Sequence, residues 1–249
     1  VVDGSFLSSD ISIMIPKTSD GRVLFCIPWH GYTLIGTTDT PVESAELEPS
    51  AIAFEIEFLL ENASKYLAAM PTRADILSVF AGIRPLIGKS RDERTSSISR
   101  SHDIFVDRAG LVSVTGGKWT TYRRMAEDAI DKAIAAGGLN ERGCVTDSVP
   151  IVHEARSFDG ERLHAELDYT EDDVISAVRT EMARTIEDVL ARRTRALFLN
   201  ARAAIEIAPR VAAIIALELD RDDVWVTRQV DEFSKLARGY LVQSDDVLR

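Results

Sequence analysis

The segment Val112-Ser-Val-Thr-Gly-Gly-Lys-Trp-Thr-Thr-Tyr-Arg123 constrains the fold of this chain more than any other. Apolar and polar residues alternate up to Thr115, which predicts a half-buried strand. A glycine pair follows, then Lys118 and two threonines, then a helical run from Arg124 to Ala136. Glycines at the turn let backbone approach a ligand with no side chain in the way. Thr120 or Thr121 can cap the helix, whose first N–H groups have no partner inside it. Those donors, the positive end of the helix dipole and Lys118 together suit an anionic group. Spacing alone favours an ordinary capped strand-to-helix turn.

Around this segment the chain changes texture. Ile11–Lys17 and Arg22–Pro28 flank Thr18-Ser-Asp-Gly21, a hairpin signal, and Tyr32–Thr37 completes a three-stranded antiparallel meander. Ser50 is placed to cap a helix from Ala51 to Ala69, with Ile52, Ile56, Leu59, Leu60, Ala63 and Leu67 on one face. Ile76–Ala81, His102–Asp107 and Leu111–Thr115 read as strands, the last two joined through Asp107-Arg-Ala-Gly110. Gly88–Ser97 reads as a polar loop. Gly137–Asp168 is the best linker. From Thr170 onward the pattern is helical: Thr170-Glu-Asp-Asp173 and Thr185-Ile-Glu-Asp188 are capping signatures, Pro209 is expected to open a helix, and Asp222 or Asp223 starts the last one. The expected class is α+β: an antiparallel-sheet portion over residues 1–138 followed by an all-α domain over residues 139–249.

Composition excludes several roles. Hydrophobic residues make up 45% and charged residues 28%, as in ordinary soluble domains. A net charge of −11 argues against nonspecific nucleic-acid binding, which needs a surplus of Lys and Arg. The two cysteines, Cys26 and Cys144, have no CxxC spacing, and Cys26 lies in an apolar strand, so a buried free thiol and a reducing cytoplasm are expected. No apolar run is long enough to span a bilayer, and no signal peptide is present. His30, His102, His153 and His164 show no metal-ligand spacing, and no Ser/His/Asp, Cys/His or paired-carboxylate arrangement stands out.

Ile15-Pro-Lys-Thr-Ser-Asp-Gly-Arg-Val-Leu-Phe25, Ile27-Pro-Trp-His30, Ile35-Gly-Thr-Thr-Asp39, Pro71-Thr-Arg73, Phe80-Ala-Gly-Ile-Arg-Pro-Leu86, Ser99-Arg100 and Thr115-Gly-Gly-Lys-Trp-Thr-Thr-Tyr-Arg123 occur in one order. In that order they resemble the FAD-dependent glycerol-3-phosphate dehydrogenases. After Gly138 the likeness thins, although Ala191-Arg-Arg-Thr-Arg195 still resembles the family's helical C-terminal domain. Members of that family begin with a Gly-x-Gly-x-x-Gly unit that holds the FAD pyrophosphate, and no such spacing occurs here. The chain therefore reads as the C-terminal half of a longer enzyme, without tight FAD binding or activity of its own.

The resemblance implies oxidation of sn-glycerol 3-phosphate to dihydroxyacetone phosphate, with electrons passed to quinone at the inner face of a membrane by a cytoplasmic, peripherally bound protein. A homodimer is a further expectation. A related oxidase that uses oxygen, a superfamily member acting on amines or hydroxy acids, and a non-catalytic interaction module are the alternatives. Arg84 and Arg100 match arginines that meet the substrate phosphate in the family; an arginine fork takes two phosphate oxygens at once, which lysine cannot do. From the residues alone, Arg84 reads first as a structural ion-pair partner, and the resemblance is what favours the phosphate role. Lys118, with Arg84 the expected catalytic group, would either face the N1–O2 edge of the flavin or contact substrate. Gly116, Gly117, Lys118, Trp119, Thr120 and Thr121 are the expected cofactor-binding residues, and no metal site is expected.

Overall fold

The protein is described by a computed structural model covering residues 1–7, 9–84, 101–150 and 160–242. It divides into two compact units: Val1–Thr40 with Ser44–Gly82 and Arg156–Arg249, and Pro41–Glu43 with Ile83–Ala155.

The first unit opens with an antiparallel sheet of β1 (Val2–Asp3), β2 (Ile13–Ile15), β3 (Leu24–Trp29) and β4 (Tyr32–Gly36), ordered β1-β4-β3-β2. The expected meander is present because the Asp20-Gly21 signal is used: Gly21 lies at φ +86° and its amide donates to the Thr18 carbonyl at 3.0 Å. Alternation sends Ile15, Leu24 and Cys26 to one face, where they are buried with Ala63 at the end of α1 (Ala53–Ala63). That helix is shorter than the apolar pattern predicts. Ser50 does not cap it, Ile52 stands at the N-cap position with no side-chain bond, and the helix ends at Ala63 rather than Ala69. Near its end the Asn62 amide and the Ser64 hydroxyl also donate to the carbonyls of Phe58 and Leu60 at 2.8 and 2.6 Å. The expected strand Ile76–Ala81 has a single bridge, from Ile76 to Val2. Its amides at Leu77 and Val79 go instead to Val1 and Tyr240, while the Leu77 carbonyl accepts from Ala201.

The second unit pairs β5 (His102–Val106) with β6 (Val112–Gly116), closed by Asp107–Gly110 as expected; the Asp107 carboxylate accepts from the amides of Ala109 and Leu111. A single 3-10 turn over Trp119–Thr121 leads into α2 (Tyr122–Gly137), which stops at Gly138 in the left-handed region. The loop Gly88–Ser97 lies outside the described residues.

In the first unit, the stretch expected to be linker contains a hairpin, β7 (Arg162–His164) with β8 (Leu167–Thr170). Leu163 and Leu167 alternate inward and join the helical core, so two apolar anchors override a polar composition. Thr170 then caps α3 (Glu171–Thr180) in a reciprocal box with Asp173, as its signature predicts. Thr185 and Asp188 likewise exchange backbone bonds, ahead of a π-helical segment, Asp188–Arg193. Then come α4 (Ala196–Leu199), α5 (Ala201–Leu219) and α6 (Asp223–Arg238), the last capped by Asp222 through the Trp225 amide at 2.8 Å. Pro209 does not open a helix. It sits inside α5, which begins at the Asn200 cap. The ring lies on the exposed side, where water can take the freed carbonyl, while Ile207, Ala208, Val211, Ala212 and Ile215 are buried opposite; that burial outweighs a cost of about 3 kcal/mol for an interior proline.

Candidate functional site

Within the second unit, β6 delivers its chain into the Gly116-Gly117 turn, with φ of +73° and +89°. Both glycines are needed for these left-handed angles. Gly116 is paired with His102, and the Gly117 amide donates to the Ser101 carbonyl at 3.2 Å, which pins the turn to the start of β5. At Gly117 a Cβ would lie 2.4 Å from the Met125 sulfur and 3.3 Å from the His102 Cβ, so a side chain there would have to push the thioether aside.

The expected threonine cap is not made. Thr121 stands at the N-cap position of α2, but its hydroxyl donates back to the Lys118 carbonyl at 3.0 Å instead of accepting from a helix amide. The 3-10 turn imposes this, because it already takes the Thr121 amide to the same carbonyl. Among the described residues nothing accepts from the amides of Lys118, Trp119 or Thr120. Lys118 is exposed, Trp119 is 87% exposed, and the Trp119 ring lies 5.8 Å from that of Tyr122. Among the described residues the turn therefore offers three backbone donors without acceptors, an exposed cation and an exposed indole. That set can receive an anionic or electron-rich planar group.

The structure brings Gly116, Gly117, Lys118, Trp119, Thr120 and Thr121 together in this one turn. Arg84 belongs to the same unit and is exposed at the end of its described stretch, while Arg100 lies outside the described residues. Sequence reasoning missed the residues beneath the turn. His102 Nε2 lies 2.9 Å from an Asp128 carboxylate oxygen, and the other oxygen of Asp128 is paired with Arg124 at 3.0 Å. Nothing in the spacing signals a pair 26 residues apart.

Two family models match overlapping parts of the chain: FAD dependent oxidoreductase over residues 3–123, and the C-terminal domain of alpha-glycerophosphate oxidase over residues 109–224. A probable mitochondrial glycerol-3-phosphate dehydrogenase of Caenorhabditis elegans is 34% identical over 87% of this chain and 36% of its own length. The chain belongs to the FAD-dependent glycerol-3-phosphate dehydrogenase family.

The mitochondrial glycerol-3-phosphate dehydrogenase SDP6 of Arabidopsis thaliana is also 34% identical, over 90% of this chain and 44% of its own. A glycerol-3-phosphate dehydrogenase of Bacillus halodurans, solved in complex with FAD, shares the fold with a TM-score of 0.73 at 24% identity, across 100% of this chain and 56% of that one. The chain thus spans well under half the length of the curated relatives of this family. Among the described residues no helix is long and apolar enough to cross a membrane, and no group of three or more His, Cys, Asp and Glu side chains could hold a metal ion.

Proposed function

We propose that this chain is the substrate-facing and C-terminal part of an FAD-dependent glycerol-3-phosphate dehydrogenase. In the whole protein, residues 1–138 complete the FAD and substrate domain, and residues 139–249 form the helical C-terminal domain. The observation that carries the reading is the Gly116–Thr121 turn, in which the amides of Lys118, Trp119 and Thr120 have no acceptor among the described residues and Lys118 and Trp119 are exposed. These residues fit one edge of a flavin and not its pyrophosphate, for which the chain has no glycine motif. Bound FAD would supply the hydride acceptor for oxidation at C2 of sn-glycerol 3-phosphate.

The chain's own part is electrostatic. Gly116 and Gly117 shape the turn, Lys118 adds a positive charge, and the amides of Lys118, Trp119 and Thr120, which have no acceptor among the described residues, would add donors to the same turn. Arg84 and Arg100 are the proposed ligands of the substrate phosphate, each neutralising part of a dianion. The proposed acceptor is a quinone, which puts a cytoplasmic, peripherally bound protein, as a homodimer, at the inner face of a membrane.

The test joins the chain to the N-terminal portion of a family member and follows bleaching of the flavin by glycerol 3-phosphate. Lys118→Met should slow that bleaching about tenfold or more, as expected on losing one charge that acts at the reacting centre. Unchanged bleaching would reduce Lys118 to a surface residue at a turn. Turnover with a quinone analogue but not with dissolved oxygen supports the dehydrogenase; peroxide release would make the protein an oxidase.

A further inference from the structure

We propose that His102 and Asp128 form a strut that sets the orientation of the Gly116–Lys118 turn, making His102 a positioning residue for Lys118. The proposal rests on the reading of that turn given above, but its geometry stands independently. His102 touches both flanks of the turn. Its backbone is paired with Gly116, and its Cβ closes one side of the space beside Gly117. Its ring reaches α2, where Nε2 meets Asp128 at 2.9 Å, with the two side chains only 20% and 28% exposed.

Asp128 is itself fixed from the other side by Arg124 at 3.0 Å, and Arg124 also meets Glu127 at 3.1 Å. Met125, one helical turn before Asp128, fills the place where a Gly117 side chain would stand. The turn is therefore held between a strand and a helix by a hydrogen bond and a packed sulfur, and Lys118 is the next residue along. Small shifts of the hairpin against α2 would swing Lys118 and the open amides away from their target. A charge misplaced by about 1 Å loses much of its catalytic effect. The pair is too sheltered to be a random surface contact, and the ring is spent on Asp128 rather than offered to a ligand.

The first measurement is hydrogen exchange of the chain as it stands, read at the two hydrogen-bonded amides of the turn, Gly117 and Thr121. His102→Ala and Asp128→Asn should each speed that exchange by about fivefold or more through local opening, with Gly21 in the other unit as an unaffected control. His102→Gln, whose amide nitrogen can replace the imidazole Nε2, should stay within about twofold of the parent. Unchanged exchange in both disrupting variants would overturn the strut. The second measurement is flavin bleaching in the joined protein. His102→Ala should slow it about tenfold, and adding it to Lys118→Met should cost little beyond Lys118→Met alone, because both changes act on one charge. Multiplying effects would overturn positioning through Lys118. If Lys118→Met alone has no effect while exchange responds as expected, the strut stands and the reading of the flavin site fails.

Discussion

The sulfur of Met125 occupies the space that a side chain on Gly117 would need, 2.4 Å from the ideal Cβ position. Gly117 is also at φ +89°, so a replacement must displace the flexible end of Met125 and also hold a left-handed backbone, the costlier of the two. Gly117→Ala should destabilise by about 1–2 kcal/mol, mainly for a left-handed non-glycine residue, because the flexible end of Met125 can swing aside at little cost. Chemical denaturation measures the total. Adding Met125→Ala should recover little of that loss, and recovery of most of it would make the contact with Met125, not the backbone, the cause.

The two thiols should differ sharply. Cys26 is fully buried, and burial pushes its thiol up from 9.0 to about 11, whereas Cys144 is exposed. Thiolate is the reactive form, so a thiol reagent at pH 8 should label Cys144 quickly and Cys26 only after denaturation. The neutral native thiol also links to stability. Below pH 9 neither state ionises and the contribution is intact. Between about 9 and 11 the unfolded thiol ionises first, so stability falls as pH rises, by about 3 kcal/mol in all. The Cys26→Ala variant should lack that part of the alkaline slope.

Arg84→Lys keeps the charge and loses the two-pronged geometry. In the joined protein it should raise KM for glycerol 3-phosphate by about 10–100-fold, the range for one partner of a charged pair with phosphate. Activity on glycerol, which lacks the phosphate, should change little. Equal losses on both substrates would make Arg84 a structural residue.

Asn200 has two duties in the helical core. Its side-chain oxygen accepts from the Ala203 amide at 3.1 Å, capping α5, and its nitrogen donates to Glu166 at 2.6 Å, tying that helix to the β7–β8 hairpin. It is almost wholly buried. Asn200→Ala should cost about 1–3 kcal/mol from the lost cap and a partner left unsatisfied. Asn200→Asp keeps the cap acceptor but sets a carboxylate against Glu166, so it should lower the thermal midpoint further. A milder effect for aspartate than for alanine would mean that the cap alone matters.

Local chemistry determined much of this protein. Asp20-Gly21 closes a hairpin, Thr170 and Asp173 box a helix start, and Asp222 caps α6, because in each case partners within four residues satisfy the backbone whatever lies around them. The ordered motifs and the Gly116-Gly117-Lys118 turn were likewise legible, since they depend on residue type and spacing. Other features needed the tertiary structure. Pro209 lies within a helix because a buried face repays it, Leu163 and Leu167 draw an apparent linker into the core, and Ser50 leaves α1 uncapped. The support beneath the site belongs to this second class. Met125 against Gly117, and Asp128 against His102, are contacts between a helix and a hairpin, and only packing the two together decides which side chains meet.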